Sequence, residues 1–324
     1  MPLDVFLLRA GPPPAAPDPE VRRLLQALPL PPAKARVLVK PNLVAPRNPG
    51  LSCTDPEFVR AVCAALLDLG LRVTVADSPA FGTAAQVARS AGLDRALKPL
   101  GLAVRSLKHP RPLALSFGGR IGLSQDALDH DLILNLPRLK AHGQMRVTAA
   151  VKNLFGCVSG FRKALAHAII GDTADHFSRL IVEVMAALPP VLTLLDARLA
   201  MHRTGPIKGD PFPLHLLAAS ADPVALDTAI YGLLGLGPQQ VPLWAECRRR
   251  GLPGADPANL CFPLDQPQAF EAAGFLLPDP LEPIVFRPLR LVRGRIKSLL
   301  GRSLLLATAP PRGYCWACHD HPPP

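Results

Sequence analysis

Short apolar segments that each run into polar and turn-forming residues recur along this chain, and this alternation constrains its fold most. The segments span residues 35–39, 71–76, 131–136, 191–195 and 214–219. Helical patterns lie between them, and the first is predicted to begin with a capping box at residues 54–57 (Thr-Asp-Pro-Glu) and to stop at Gly70. Strands that alternate with helices predict an α/β fold with a mostly parallel sheet, helices on both faces and one or two lobes.

The polar residues after these segments predict one functional edge. In open α/β sheets, ligands bind beyond the carboxyl ends of the parallel strands. We therefore expect the residues that follow the strands to lie close together, including those after the segment at 214–219. They are Lys40, Asn42, Asp77, Ser78, Asn135, Asp196, Ser220 and Asp222.

The stretch 131–167 combines a strand with an unusual density of cations. No aspartate or glutamate occurs between Arg138 and His167. Because such cations repel one another, the stretch predicts that an anionic group sits among them. A solvated basic face is the alternative, although glycines and apolar residues interleave with the charges here.

Charge and composition limit the class of protein. The chain has 324 residues, of which 49% are hydrophobic and 19% charged, as in an ordinary soluble globular protein. The net charge is +11, but seven positive charges lie in residues 284–312 without an acid, so nucleic acid is not an expected partner. Residues 285–307 alternate arginines with apolar residues, which is typical of an amphipathic helix packed on the domain or of a weak membrane-surface contact.

Targeting and cysteine patterns predict a cytoplasmic protein with reduced thiols. No run reaches the about 18 apolar residues of a transmembrane segment, and the first residues lack the pattern of a secretory signal. The seven cysteines have no framework spacing. The predicted organisation is a Pro/Ala-rich lead-in at 1–34, an α/β domain at 35–280, a basic segment at 281–312 and a cysteine-bearing tail at 313–324.

Seven linked sequence blocks together resemble the domain of unknown function 362 family. They are VLVKPNLV at 37–44, the helix that begins at TDP, ADSPAFG at 76–82, DLILNLPRLKAH at 131–142, VKNLFGCVSGFRKALAH at 151–167, LLDARLAMHRTGP at 194–206 and ADPVALDTA at 221–229. The resemblance covers about residues 35–250, and the KNLFG block is the most distinctive. It implies the fold and leaves the reaction open.

The resemblance also bears on the tail, because many members of that family continue into a ferredoxin-like module. Here Cys315 and Cys318 form one Cys-x-x-Cys pair before the last residues. Since a ferredoxin cluster needs four thiolates, a complete iron–sulphur cluster is not expected. The alternatives are a zinc site shared with His319 or His321, a reduced thiol pair or a haem attachment.

A looser similarity links the chain to the nickel-dependent lactate racemase fold. Both have a strand, a helix that begins after a threonine and proline, and a basic Gly/Lys block followed by a histidine. The similarity implies an active site near His142, Lys152, Lys163 and His167, and we do not extend it to the nickel cofactor.

The side chains of the basic stretch suit proton transfer on an anionic substrate. Lys140 and His142 lie two apart in extended chain, and Lys163 and His167 share a helix face, so each pair points one way. Neighbouring lysines lower each other's pKa, which creates an amine base or nucleophile. The candidate catalytic residues are Lys140, His142, Lys152, Lys163 and His167.

Further residues are candidates for binding the substrate or a metal. The anion-binding candidates are Lys40, Asn42, Ser78, Asn153, Gly156 and Gly160, although Lys152, Asn153 and the glycines also fit a simple tight turn. The metal candidates are Asp77 and Asp196 for a divalent ion, with Cys315 and Cys318 in the tail, and Asp227 either ligates a metal, orients lysines or caps a helix.

Three classes of function follow from these patterns. The first is an enzyme that acts on a small anionic metabolite by Lys/His acid–base chemistry, isomerase- or racemase-like or an oxidoreductase. The second is a redox or electron-transfer partner with a shortened iron–sulphur tail. The third is a non-catalytic anion or nucleotide sensor.

Overall fold

The computed structural model describes residues 2–159 and 173–279. Its strands are β1 (Leu3–Arg9), β2 (Arg36–Pro41), β3 (Arg72–Asp77), β4 (Val104–Ser106), β5 (Pro110–Ala114), β6 (Arg120–Ser124), β7 (Leu132–Leu136), β8 (Arg138–His142), β9 (Arg146–Thr148), β10 (Val191–His202), β11 (Asp210–Phe212), β12 (Leu216–Ser220) and β13 (Leu260–Cys261). Its helices are α1 (Asp18–Gln26), α2 (Pro49–Ser52), α3 (Pro56–Asp68), α4 (Ala84–Ala91), α5 (Leu93–Leu97), α6 (Gln125–Leu128), α7 (Ala150–Asn153), α8 (Ala174–Ala186), α9 (Pro223–Leu233) and α10 (Pro242–Arg249).

One large mixed sheet runs through the described residues. Its strands lie in the order β13-β1-β12-β10-β7-β2-β3-β4, with β8 and β11 paired to β10 and β9 paired to β8. The strands β10, β7, β2, β3 and β4 are mutually parallel, whereas β12 is antiparallel to both β1 and β10. The prediction of an α/β fold with a mostly parallel sheet is confirmed.

Two hydrophobic cores cover the two faces of this sheet. The core on one face contains side chains of α1, α3, α4 and α5, and the core on the other contains side chains of α7, α8, α9 and α10. The prediction of helices on both faces is therefore correct. Strands β5 and β6 form a separate antiparallel sheet of two strands.

The direction of the connections reverses at β2. The chain proceeds from β2 to β3 and β4 on one side and then resumes with β7 on the other side of β2. Such a reversal opens a crevice at the carboxyl ends of the two strands, where open α/β sheets bind ligands. The crevice here lies between the ends of β2 and β7.

Strand register confirms the predicted edge for the parallel strands and corrects it for β12. Lys40 pairs with Asn135, which pairs with Thr193, so Asp196 lies at the same end of the sheet as Lys40. Because β12 is antiparallel to β10, Ser220 lies opposite Thr193 at its own carboxyl end. Ser220 is therefore level with Lys40 and Asn135, but the chain continues from it toward Asp222 in the direction away from Asp196. The prediction that Asp222 lies at the functional edge is wrong.

Local sequence explains where the helices begin. Asp55, not Thr54, is the N-cap of α3 and accepts from the Phe58 N–H, while the Thr54 hydroxyl donates to the Leu136 carbonyl. The predicted capping box at Thr54 is therefore wrong. Thr83 and Gln86 form a capping box at the start of α4.

Three other segments form strands beyond the sequence-based expectation. Residues 1–34 were expected to be a lead-in, yet Leu3–Arg9 forms a strand of the main sheet between β12 and β13. The predicted strand at 131–136 was expected to be followed by extended chain with Lys140 and His142, and this chain forms a second strand, β8, directly after Pro137. Strand β10 extends to His202 and does not end at Asp196.

No helix in the described part of the chain is long and apolar enough to cross a membrane.

Several predicted features lie outside the described residues. They are Gly160, Lys163 and His167 of the basic stretch, the segment at 281–312 with its amphipathic pattern, and the tail with Cys315, Cys318, His319 and His321.

Candidate functional site

A buried ion pair closes the bottom of the crevice. Lys40 follows the apolar run of β2, and its Nζ lies 2.8 Å from Asp77 Oδ1 at the end of β3. The other carboxylate oxygen of Asp77 accepts from the Leu43 N–H at 2.8 Å. Gly156 packs against the pair so closely that a Cβ there would lie 2.6 Å from Lys40 Cε. The Lys40–Asp77 ion pair and Gly156 are therefore tightly packed against one another.

Three asparagines connect the strands to α7 above this pair. Asn153, at the end of α7, donates to Asn135 Oδ1 at 2.8 Å and accepts from Asn42 Nδ2 at 2.8 Å. Asn135 also donates to the Ala150 carbonyl at 3.0 Å. Because these amides join β2, β7 and α7, they fix the loop after β2 against the crevice.

Lys140 ends this chain of hydrogen bonds. Its ammonium group donates to Asn42 Oδ1 and to the Ser52 carbonyl, and the residue is 1% exposed. None of the described carboxylates forms an ion pair with it. Burial lowers the pKa of Lys140 to about 7; the charges of Lys152 and Arg138 lower it further, while Cys53 and Asp77 act in the opposite direction.

Arg138, Lys140 and His142 alternate along β8 and so point to one face of it. Arg138 donates to the Leu199 carbonyl at 2.8 Å and to the Cys53 carbonyl at 3.3 Å. His142 is 8% exposed, and its Nδ1 accepts from the N–H groups of Gln144 and Met145 in the turn between β8 and β9, at 3.1 and 3.2 Å. The neutral ring therefore carries its proton on Nε2.

Two polar side chains near this face are buried without a hydrogen-bond partner among the described residues. They are the amide of Gln144 and the hydroxyl of Thr148, and Thr148 lies directly across from Lys140 in the β8–β9 ladder. Burying such a group unpaired costs about 1–3 kcal/mol. Because these two polar side chains are buried in spite of that cost, they are candidates for contact with a ligand.

The rim of the site is only partly buried. Asn42, Ser78 and Lys152 are each half-buried at the edge where the crevice opens. Lys152 places its Nζ 5.9 Å from the centre of the Phe177 ring. The arrangement thus has buried cations behind a polar rim that solvent reaches.

Asp227 anchors α7 from the opposite side. Its carboxylate accepts from the N–H groups of Ala150 at 2.6 Å and Val151 at 3.1 Å, and from the Tyr231 hydroxyl at 3.2 Å. Burial raises the pKa of Asp227 to about 7 despite these three hydrogen bonds, which favour the charged form. Of its predicted roles, the contacts favour helix capping, and through α7 this carboxylate positions Lys152 and Asn153.

The predicted metal ligands contact cations of the protein. Asp77 forms an ion pair with Lys40, and Asp196 lies 3.1 Å from Nε of Arg198. The same guanidinium group contacts Asp55, the N-cap residue of α3, through Nη2 at 2.9 Å. Among the described residues no group of three or more His, Cys, Asp or Glu side chains is arranged to hold a metal ion. These contacts favour ion pairing over metal binding at both positions.

The structure brings together most of the predicted residues that it describes. The assembled cluster comprises Lys40, Asn42, Asp77, Lys140, Asn153 and Gly156, with His142 on the same strand as Lys140 and with Ser78 and Lys152 at the rim. Sequence reasoning missed Ser52 and Thr148 as parts of the site. Ser52 is the last residue of the short helix α2 and acts through its backbone carbonyl, for which the sequence gives no signal.

Replacing Lys140 with methionine is expected to change how stability depends on pH. The pKa of about 7 in the folded protein lies below the unfolded value of about 10.4, so between them the unfolded chain binds one more proton. The free energy of unfolding of the wild type should therefore rise with pH in this window, by about 1.4 kcal/mol per unit relative to Lys140→Met. Urea titrations of both proteins at about pH 7.5 and 9.5 measure the slope. Parallel pH dependences would contradict the low pKa.

Fold and site together define an α/β protein with a buried cationic and amide cluster at its topological switch point. The model of the "Domain of unknown function (DUF362)" matches residues 37–232. A "Thylakoid-associated protein" from Synechocystis sp. is 40% identical over 264 residues, which is 81% of this chain and 82% of the relative. The chain belongs to this family, as its sequence blocks indicated.

Two solved structures share a weaker likeness of fold. A crystal structure of a Thermotoga maritima protein has 12% identity and a TM-score of 0.38 over 63% of this chain. The lactate racemase apoprotein from Thermoanaerobacterium thermosaccharolyticum has 12% identity and a TM-score of 0.42 over 68% of this chain. The chain covers 54% and 55% of the lengths of these two structures.

Proposed function

We propose that this protein is an enzyme that binds a small anionic metabolite at the switch point and moves a proton with Lys140 and His142. The observation that carries the proposal is the buried Lys140 amine, which lacks a carboxylate partner among the described residues and has a pKa of about 7. A base with a pKa near the working pH is the most effective for proton transfer.

The hydrogen bonds of Lys140 leave it ready to accept a proton. A neutral amine has two N–H groups and one lone pair, and the acceptors Asn42 Oδ1 and Ser52 O engage the two N–H groups. The lone pair then remains for a proton taken from the substrate. When Lys140 becomes an ammonium, the adjacent anion of the substrate stabilises the new charge.

His142 is the complementary acid in this proposal. Its Nδ1 is held by backbone N–H groups, so the Nε2 proton is the one it can give. Lys152 at the rim holds the anionic group, and Gln144 and Thr148 supply hydrogen bonds to the remaining polar atoms of the substrate. Lys163, His167 and Gly160 remain candidates for the same site.

An anion site makes a specific prediction for Lys152. Phosphate or a carboxylate ligand should stabilise the wild type by about 2.7 kcal/mol at a hundredfold excess over its dissociation constant. Lys152→Met removes one charge from a self-repelling cluster, so the empty variant should be as stable as the wild type or slightly more stable, while its stabilisation by ligand falls sharply. Thermal-shift curves against phosphate, sulphate, citrate and nucleotides measure both effects.

Lys98→Met is the matched control, because Lys98 is an exposed lysine far along the chain from the basic stretch. It should keep the full response to ligand. A merely solvated basic face predicts small, salt-like shifts that are equal for all anions and for all three proteins, and that result would end the anion-site proposal.

The alternative functions have their own tests. A sensor binds the same anions without turnover, which mass spectrometry of co-purified ligands followed by an activity assay distinguishes. A redox partner requires iron and labile sulphide in the purified full-length chain, and its candidate ligands Cys315 and Cys318 lie outside the described residues. A cytoplasmic location with reduced thiols remains a proposal. A membrane-surface contact through residues 285–307 is a further proposal, and the Synechocystis relative is named a thylakoid-associated protein.

A further inference from the structure

A cavity that is separate from the switch-point crevice lies at the edge of the sheet formed by β3 and β4. It has a volume of about 550 Å³, which is in the range of small-molecule sites. Thr74 and Ala76 of β3 form its floor, the loop after β4 forms one wall, and the segment around α6 forms the other. Its lining residues include none of those that form the cluster at the switch point.

The carboxylates that line this cavity are engaged by the protein itself. Asp126 accepts from His109 Nδ1 and from the Lys108 N–H, each at 2.7 Å, through its two oxygens. Asp129 accepts from the side chain of Gln125 at 2.7 Å. Neither acid is paired with the guanidinium or ammonium groups of the lining.

Two cations of the lining form no ion pair with the residues that the structure describes. Arg105 and Lys108 are exposed, and within the part of the chain that the structure describes neither forms an ion pair. His109 and His130 stand on the same walls, and the Asp126 contact fixes the ring of His109 through Nδ1, which leaves its Nε2 for a ligand. Cations and imidazole nitrogens therefore lie in the same lining as the apolar side chains of Ala76 and Leu107.

We propose that this cavity binds a small organic anion, with its charged group on Arg105 and Lys108 and its apolar body on Ala76 and Leu107. The two carboxylates keep their charge despite these hydrogen bonds, and the Arg105 and Lys108 side chains supply two positive charges that compensate for them. An anion without an apolar body forgoes the contact with the floor, and an apolar molecule without a charge forgoes the contact with the cations. The site should therefore select ligands that have both a negatively charged group and an apolar body.

Phenyl phosphate, inorganic phosphate and benzyl alcohol separate these contributions. The imidazole carbon signals of His109 and His130, identified by His109→Asn and His130→Asn, should shift saturably when phenyl phosphate is added to the full-length protein. Inorganic phosphate should bind at least about tenfold more weakly, and benzyl alcohol should leave the signals unchanged. In Arg105→Met the affinity for phenyl phosphate should fall about tenfold, since a hydrogen bond to a charged group is lost.

Arg248→Met is the control, because it removes an equally exposed arginine on α10, and Lys152→Met separates this cavity from the switch-point site. Both variants should bind phenyl phosphate as the wild type does. The proposal is overturned if the two histidine signals do not respond, if Arg105→Met binds with unchanged affinity, if inorganic phosphate binds as tightly as phenyl phosphate, or if Lys152→Met abolishes the response.

Discussion

Gly156→Ala is expected to destabilise the protein by more than about 3 kcal/mol. The added methyl group would overlap Lys40 Nζ and Asp77 Oδ1 and lie 2.6 Å from Lys40 Cε. Both charged groups are fully buried, so neither can move away without breaking an ion pair inside the protein, and breaking a buried pair typically costs about 3–5 kcal/mol. Urea unfolding of the variant and the wild type measures the difference.

Gly232→Ala is the matched control for this substitution. Gly232 lies in α9, is exposed, and has no atom within 4 Å of an added Cβ. Because alanine favours helix over glycine, this change should be neutral or stabilising by up to about 1 kcal/mol. A loss at Gly156 no larger than the effect at Gly232 would show that the packing around the Lys40–Asp77 pair is loose.

Asp227→Ala is expected to destabilise the protein by about 2–4 kcal/mol near neutral pH. The change leaves the N–H groups of Ala150 and Val151 and the Tyr231 hydroxyl without their acceptor, and a buried unpaired group costs about 1–3 kcal/mol. The relief of a costly buried carboxylate offsets part of this loss. Since α7 carries Lys152 and Asn153, stabilisation by phosphate should weaken as well, and thermal unfolding with and without phosphate measures both effects.

Asp222→Ala provides the comparison on the same helix. Asp222 also accepts from two backbone N–H groups, those of Val224 and Ala225, but it caps the exposed start of α9. Loss of such a cap costs about 1 kcal/mol, and the response to phosphate should be unchanged. Equal losses of phosphate stabilisation in both variants would contradict a positioning role for Asp227.

The strand-then-polar pattern of the sequence was sufficient to predict the parallel part of the fold. Lys40 and Asp77 each end an apolar run, and the structure places both at the predicted edge. The same pattern gave the wrong position for the residues after β12, because a fully buried strand has the same apolar sequence whether its neighbours are parallel or antiparallel. Its direction depends on β1, whose place in the sheet is a long-range pairing that no local signal reveals.

The composition of the site was harder to predict than its place. The basic stretch identified Lys140 and His142, since residues two apart in a strand share a face. The partners of Lys140 come from the segment between β2 and α3, and a carbonyl such as that of Ser52 carries no sequence signal. The low pKa of Lys140 arises from complete burial, which the sequence alone does not show for a lysine.

The most direct test of the proposed function is an NMR titration of Lys140. In protein labelled with ¹³C-lysine, the Cε signal of Lys140 is the one that disappears in Lys140→Met. The structure predicts a midpoint of about 7, and saturating phosphate should raise it because a bound anion stabilises the ammonium form. A midpoint near the unperturbed value of about 10.4, or one that phosphate does not move, would contradict a neutral amine base in an anion-binding site.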